Sequence, residues 1–590
     1  MDMIPALVCL TQEGAALARG LSGEVHGYRP RVADAAVAFE DAGAHLSALF
    51  AQGRPIVGFC AAGILVRALA ASLGDKQNEP PVIAVSADGK HVVPLLGGHR
   101  GANRMALEIA RALGATAAIT TAGDTILGVS LDEPPPGWRI ADRAAIKPVA
   151  AALIAGQSVC IDGHAAFLAA LPRAQVATAN IRITERRASP GDTALVYHPP
   201  VLAIGIGCER GADADEISAL VEECLADAGL ARAAVALVAS IDIKADEDGI
   251  LAVAEALGVP ARFFAAADLR AQEDRVTQKS DYVKATVGTP SVAEAAALAC
   301  VGSAGRLIVA KRKSARATCA IALAAEPLDA TSIGTPRGHL DIVGIGPGAD
   351  AWRTPEVSYA LHAAECVVGY GLYLDLVADL VRGKPRYETG LGDETGRVER
   401  ALDLAAAGKR VALVCSGDAG IYALATLAFE RLEKGPSERR RIAVRVCPGI
   451  SALQAAAARL GAPLGHDFCA ISLSDLLTPR EAIETRLRAA AAGDFVVAFY
   501  NPASERRRSL LPLARQILLD ARGADCWVAC ARNLGRAGET VKIHRLGDDW
   551  VDSVDMLTLV MVGSTATRRL ELGTTARLYT PRGYEKKETS

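Results

Sequence analysis

The sequence predicts an α/β protein of several domains, on three observations. The stretch His339-Leu340-Asp341-Ile342-Val343-Gly344-Ile345-Gly346-Pro347-Gly348 runs from an apolar segment into a glycine-rich turn. Thr354-Pro355-Glu356 follows with the marks of a helix start: a capping hydroxyl, a first-turn proline and an acid suited to the helix dipole. This strand-turn-helix opening lies in mid-chain, so separate folded units must precede it. A length of 590 residues, at roughly 100–200 residues per domain, corresponds to about three to five domains.

Composition narrows the class further. Hydrophobic residues make up 51% and charged residues 22%, enough for sizeable cores and against general disorder. A net charge of −3 removes any bulk argument for nucleic acid or an anionic membrane, while leaving room for a local basic pocket that takes an acidic small molecule. The 13 cysteines form no paired CxxC modules and sit mostly in apolar, strand-like runs such as Val414-Cys415 and Val446-Cys447. They read as reduced thiols of a cytoplasmic protein rather than a disulfide framework, and no metal site is expected. No signal-peptide pattern is evident, and every apolar run breaks before the roughly 18 residues a membrane span needs.

In chain order, residues 6–10 read as a strand, 14–21 as a short helix and 56–60 as a second strand. Residues 82–85 and 92–96 are further strands. The last runs into Gly97-Gly98-His99-Arg100-Gly101-Ala102-Asn103 and then a helix through Met105, Ile109 and Leu113. A loop between a strand end and a helix start is the usual ligand edge of an open α/β sheet. His99 is its candidate acid/base group; the alternative is a glycine turn with solvated polar residues, and the spacing leaves both open. The run Asp132-Glu133-Pro134-Pro135-Pro136-Gly137 closes a first domain at 131.

Residues 132–200 form a less distinctive middle segment, with a helix expected over 149–155 and a strand over 158–161. A third unit spans 201–323. Its strand over 201–206 turns at Gly207-Cys208-Glu209-Arg210-Gly211, and Ile217, Leu220, Val221, Cys224 and Leu225 give a helical stripe. A second strand, 235–240, ends in Ile241-Asp242-Ile243-Lys244-Ala245-Asp246-Glu247. Residues 324–338 mix Pro, Gly, Thr and Ser and read as a linker into the last unit, 339–590.

In that unit, Gly344-x-Gly346-x-Gly348 suggests either a phosphate loop or a tight turn. Pro347 has no amide to donate, and no Gly-Lys-Ser/Thr triplet follows. Strands are expected over 366–368, 411–415, 444–446, 495–500 and 558–562, the last closing a sheet, and a helix over 370–381. Ser416-Gly417-Asp418-Ala419-Gly420-Ile421-Tyr422 combines a hydroxyl, an acid and an aromatic at a strand end, beyond what a structural turn needs. Ser451 is placed to begin a helix. Arg506-Arg507-Arg508, ordinarily a solvated face, would serve an anionic substrate with bidentate forks.

Two resemblances rest on these motifs. Residues 1–323 resemble the cobalamin-pathway hydrolases that open the lactone of cobalt-precorrin-5A and release acetaldehyde. The matching pieces are Gly58-Phe59-Cys60-Ala61-Ala62-Gly63, Asp75-Lys76, Pro94-Leu95-Leu96-Gly97-Gly98-His99-Arg100-Gly101-Ala102-Asn103, Gly205-Ile206-Gly207-Cys208-Glu209-Arg210-Gly211 and Ser240-Ile241-Asp242-Ile243-Lys244. Residues 339–584 resemble the tetrapyrrole (corrin/porphyrin) methylases, and within them the precorrin-3B C(17)-methyltransferases. Here the pieces are the 344–348 turn, Gly417-Asp418-Ala419-Gly420-Ile421-Tyr422, Ile471-Ser472-Leu473-Ser474-Asp475-Leu476-Leu477-Thr478-Pro479, Phe499-Tyr500-Asn501-Pro502 and Tyr579-Thr580-Pro581-Arg582-Gly583-Tyr584.

The second resemblance implies two α/β subdomains with S-adenosyl-L-methionine in the cleft between them, a corrin or precorrin substrate and a homodimer. It carries Pro347, Ser416, Gly417, Asp418, Ile421, Ser451, Ala452 and Asn501 into the cofactor site. Methylation at C-17 with ring contraction also needs proton transfers, for which His466 and Asp475 are the candidates. For His466 the alternative is a hydrogen-bonded structural histidine. Two rival readings stay open: a first half that is a non-catalytic corrinoid carrier, and a nucleotide-binding regulator.

Overall fold

The structure, a computed structural model, describes residues 4–32, 35, 37–74, 79–121, 127–189, 191–390, 392–504 and 508–584, without the side chain of His99. Asp75, Lys76, Arg506 and Arg507, singled out above, lie outside the described residues. The chain divides into two compact units, Met1–Arg337 and Gly338–Ser590, each of mixed α/β construction. Among the described residues no helix is long and apolar enough to cross a membrane, and no cluster of His, Cys, Asp or Glu could hold a metal ion. The 13 cysteines are all free thiols, most of them buried.

Among its described residues the first unit contains three sheets. A seven-stranded sheet is centred on Ala6–Cys9 and Ile56–Phe59, and both strands are buried along their whole length. Continuous apolar runs are what strands covered on both faces require, and all neighbours pair in parallel except Val82–Val85 with His91–Leu96. The strands Glu24–Tyr28 and Val37–Phe39, too short and mixed to stand out in the sequence, extend one edge.

The middle segment holds more structure than its sequence suggests. Four strands, Arg139–Ile140, Leu195–His198, Ala179–Ile183 and Val159–Asp162, form a sheet. It packs around the fully buried Tyr197, whose hydroxyl donates to the Leu131 carbonyl (2.5 Å) and whose ring meets Phe167 edge-on. The third sheet has Leu202–Cys208 between the parallel Val235–Ile241 and the antiparallel Ala317–Leu323. Residues 324–338 are expected as a linker, yet those up to Thr335 are bonded into this unit. The Leu328 amide donates to Pro200 (2.8 Å), and Thr335 and Phe263 exchange backbone hydrogen bonds at 2.8 and 2.9 Å.

Among its described residues the second unit has two five-stranded sheets and a small three-stranded one. The first is wholly parallel, with His339–Gly344 between Arg410–Cys415 and Ala443–Cys447. Thr354 caps the helix Pro355–Ala363 by accepting from the Val357 amide (3.3 Å), as the Thr-Pro-Glu pattern predicts. The helix expected over 370–381 ends at Asp375 and gives way to turns. In the second sheet Thr558–Val562 does not close an edge. It lies in the middle, antiparallel to both Val496–Tyr500 and Trp527–Arg532, and all five of its residues are buried.

One cluster in the first unit makes stability depend on pH. His26, 2% exposed, bridges His45 Nε2 (2.8 Å) and Glu24 Oε2 (3.0 Å), while Arg54 meets the same Glu24 oxygen at 2.7 Å. Burial, reinforced by the charges of His26 and Arg54, pushes His45 down from 6.5 to about 4. The folded value lies below the unfolded one, so the stabilisation is full above 6.5 and is lost as pH falls towards 4. Hydrogen exchange of peptides covering residues 24–54 is expected to accelerate over that window, and His45→Phe to flatten the dependence. An equally steep dependence in the variant would assign the loss to other groups.

Candidate active site

The second unit's parallel sheet delivers three loops to one place, and glycine makes the meeting possible. Beyond Gly344 the chain turns through Gly346 (φ +76°), whose amide and carbonyl pair with the carbonyl and amide of Gly417 at 3.1 and 2.8 Å. The Ile345 amide donates to Cys415 (2.9 Å). These turn amides are therefore consumed by the neighbouring strand end, which decides for a tight turn over a phosphate cradle. A Cβ on Gly449 would fall on the carbonyl oxygens of both Gly344 and Gly417, and one on Gly344 would lie 2.6 Å from the Gly417 oxygen. Backbone packs directly on backbone here, which no other residue permits.

Asp418 secures the same junction. One carboxylate oxygen accepts from the Gly420 amide (2.8 Å) and the other from Gly449 (3.1 Å). Ser451, 1% exposed, caps the helix Ala452–Leu460 in a reciprocal box with Gln454.

These loops form one wall of a cavity of about 230 Å³. All eight positions predicted for the cofactor line it: Pro347, Ser416, Gly417, Asp418, Ile421, Ser451, Ala452 and Asn501. A Cβ on Gly417 would enter it with no protein atom nearer than 3.8 Å, although φ there is +69°. The second sheet supplies Tyr500 and Ala531 from its strands, Met556 and Leu557 from the approach to its middle strand, and Asn533, Leu534 and Arg536 from the loop after Trp527–Arg532.

Arg536, not identified as a site residue from the sequence, joins the two sheets across this cavity. Its Nε donates to the Pro347 carbonyl (2.6 Å) and its Nη2 to the Ser416 hydroxyl (2.9 Å). The available signal was its loop, Asn533-Leu534-Gly535-Arg536-Ala537-Gly538, where Asn533, Gly535 and Gly538 all take positive φ. Among the described residues four non-glycine positions have positive φ, and three of them, Tyr422, Asn501 and Asn533, line the cavity. Such strain concentrates at functional sites. The Asn501 amide nitrogen donates to Ser472 (3.1 Å) and the Tyr422 hydroxyl to the Ala470 carbonyl (3.0 Å). The Tyr500 hydroxyl accepts from the Leu453 amide (3.0 Å), and burial raises its pKa above the ordinary phenol range.

The proposed proton-transfer residues are not brought to this lining. The side chain of His466 is 56% exposed, and its Nδ1 accepts from the Asp467 amide (2.8 Å), a contact that suits the structural alternative. Asp475 is exposed in the turn after Phe468–Ser472, where the polar density read as chemistry serves to anchor Asn501 through Ser472. In the first unit, His99 lies in the turn Gly98–Arg100, between Gly97 and Gly101, which both take left-handed backbone. The Asn103 side chain donates to the Thr121 hydroxyl (2.9 Å) and is part of that loop's scaffold.

Comparison with known proteins finds three family matches: cobalamin synthesis G N-terminal over residues 44–124, cobalamin synthesis G C-terminus over 202–322, and tetrapyrrole (corrin/porphyrin) methylases over 339–548. A "Probable cobalt-factor III C(17)-methyltransferase" of Salmonella typhimurium is 44% identical over 245 residues, 42% of this chain and 99% of that protein. A "Precorrin-3B C(17)-methyltransferase" of a Sinorhizobium species is 42% identical over 248 residues, 42% of this chain and 97% of that protein. Among solved structures, that of the methyltransferase CobJ is 41% identical and covers 41% of this chain and 100% of its own, at a TM-score of 0.39.

The geometry separates two kinds of glycine. Gly449→Ala is expected to cost more than about 3 kcal/mol, because two carbonyls must move. Gly417→Ala should cost only about 1–2 kcal/mol, the price of a left-handed backbone. Denaturant unfolding of the two variants checks the order, and equal losses would remove the close-packing account. Arg536→Ala should lower stability by about 2 kcal/mol through two lost charge-assisted bonds.

Proposed function

This chain belongs to the tetrapyrrole (corrin/porphyrin) methylases, with cobalamin synthesis G domains in its first unit, and from that membership we propose a bifunctional enzyme of cobalamin biosynthesis. The second unit methylates precorrin-3B, or its cobalt form, at C-17 with ring contraction, using S-adenosylmethionine. The first unit hydrolyses the lactone of cobalt-precorrin-5A and releases acetaldehyde. The observation that carries the methyltransferase reading is the convergence of eight separated motif positions on the 230 Å³ cavity.

The lining suits S-adenosylmethionine: Ala452, Leu534, Met556 and Leu557 offer apolar surface, and Gly417 leaves a backbone cradle that any side chain would fill. When bound, that cofactor supplies a methyl group already activated on a sulfonium. The chain's own contribution is then alignment, which by itself accounts for a large share of rate enhancement in such transfers. Asp418 and the three glycines hold the loops; Arg536 fixes the opposite side through Pro347 and Ser416. Tyr500, a half-buried phenol that lines the cavity and is neutral at pH 7 in any surroundings, is the candidate proton donor during ring contraction.

For the first unit, the glycine-flanked turn carrying His99 at the end of the strand His91–Leu96 supports a hydrolytic role, with His99 as acid/base group.

Gly417→Val tests the cofactor assignment. Binding of S-adenosylhomocysteine, measured by calorimetry, should be lost in a folded protein, with acetaldehyde release intact; undiminished binding would move the site elsewhere. Tyr500→Phe should reduce conversion of precorrin-3B by about 10²-fold or more, within the range for a general acid. His466→Ala should leave it within about threefold, since His466 is engaged outside the cavity. A large loss with His466→Ala would restore that residue as the proton-transfer group.

A further inference from the structure

The first unit contains a cavity of about 420 Å³ where the turn Gly98–Arg100 and the helix Ala102–Leu113 meet the chain from Asp132 to Arg143. Four arginines line it, Arg100, Arg104, Arg139 and Arg143, against two carboxylates, Asp132 and Glu133. Both carboxylates are engaged in the wall itself. Asp132 accepts from the Ser130 hydroxyl (2.8 Å), and Glu133 from the Gly101 amide (2.8 Å), which ties the wall to the loop beside His99.

Three of the guanidinium groups, those of Arg139, Arg143 and Arg104, differ in character. Arg139 is held rigidly by the carbonyls of Leu257 (3.1 Å) and Gly258 (2.8 Å), neutral partners that fix its fork and leave its charge uncompensated. Among the described residues Arg143 donates to the Asp132 carbonyl, at 3.4 Å. Arg104 faces Glu108 at 3.6 Å on an exposed helix surface, a weak pairing. Between these charges stand Pro134, Pro135 and Pro136, which cannot rearrange freely, and Trp138, whose ring is set edge-on by Phe167 at 5.3 Å. Planar cations beside stiff proline and indole surfaces in a mostly polar cavity suit a flat body that carries carboxylate arms.

We propose that this cavity binds the carboxylate side chains of a tetrapyrrole-class ligand and holds it against the turn that carries His99. The proposal rests on reading the first unit as acting on a corrin lactone, to which it adds the residues that select the substrate. Arg139 and Arg143 grip carboxylates; Arg104 extends the clamp towards solvent.

The test uses the full chain with uroporphyrin, a tetrapyrrole bearing carboxylates on every ring, followed by hydrogen exchange so that binding is located. Uroporphyrin should slow exchange in peptides covering 98–113 and 132–143. In Arg104→Gln/Arg143→Gln that protection should vanish at the same concentration, and in Arg104→Lys/Arg143→Lys it should survive in part. In the acetaldehyde assay the glutamine pair should raise KM about tenfold or more with little change in kcat, as for lost uniform binding. No protection in the wild type, or equal protection in the glutamine pair, would overturn the site. If the wild type releases no acetaldehyde but the protection pattern holds, the hydrolase reading falls and the binding site stands.

Discussion

The contact on which the second unit depends is between three backbones. Gly344, Gly417 and Gly449 bring the ends of one strand and two loops closer than any side chain allows, and the cavity is what remains beside that contact. Everything polar nearby serves it. The Asp418 carboxylate, which the resemblance carries into the cofactor site, accepts from two amides and thereby holds two of the loops together. The pairing of Gly346 with Gly417 adds a rung of sheet-like bonding past the end of the sheet itself. A ligand approaching this place meets amides, carbonyls and short side chains already fixed in position, the condition under which binding free energy is spent on alignment rather than on ordering.

The rest of the lining is built differently. Tyr422, Asn501 and Asn533 hold left-handed backbone without being glycine, and Tyr422 and Asn501 are secured by a side-chain bond to the 468–472 strand. Arg536 completes the enclosure from a loop whose glycines let it pass close to Pro347 and Ala349. The cavity thus has one wall defined by the absence of side chains and another defined by their constraint.

How much of this could be read beforehand follows from range in sequence. The strand-end loops at 344–348, 416–422 and 451–452 were legible because glycine, proline and capping hydroxyls leave local marks. The eight predicted lining positions came from those loops and from the Tyr-Asn-Pro turn, by resemblance rather than by spacing. Arg536 was not legible, because its role depends on Pro347 and Ser416, far away in the chain. His466 and Asp475 do not line the cavity, for the same reason: polar density identifies a busy segment but not the direction in which it faces. The sheet of residues 139–198 was hidden because its strands are short and its core is organised by single residues such as Tyr197. The place of Thr558–Val562 at the centre of its sheet is equally invisible in a run of five apolar and β-branched residues.

That central position bears on how the unit is made. Strands 468–472, 496–500, 527–532 and 540–545 leave the ribosome before the strand that separates two of them, so Val496–Tyr500 and Trp527–Arg532 emerge with no partner for their facing edges. Unpaired edges of apolar strands recruit other strands, and pairings between sequence-distant segments form slowly. Until residues 558–562 have followed them out, these two strands present a vacant slot of strand width, open to the same segment of a neighbouring chain. The interval between synthesis of one strand and arrival of its neighbour is then the period in which these edges are open to misassembly.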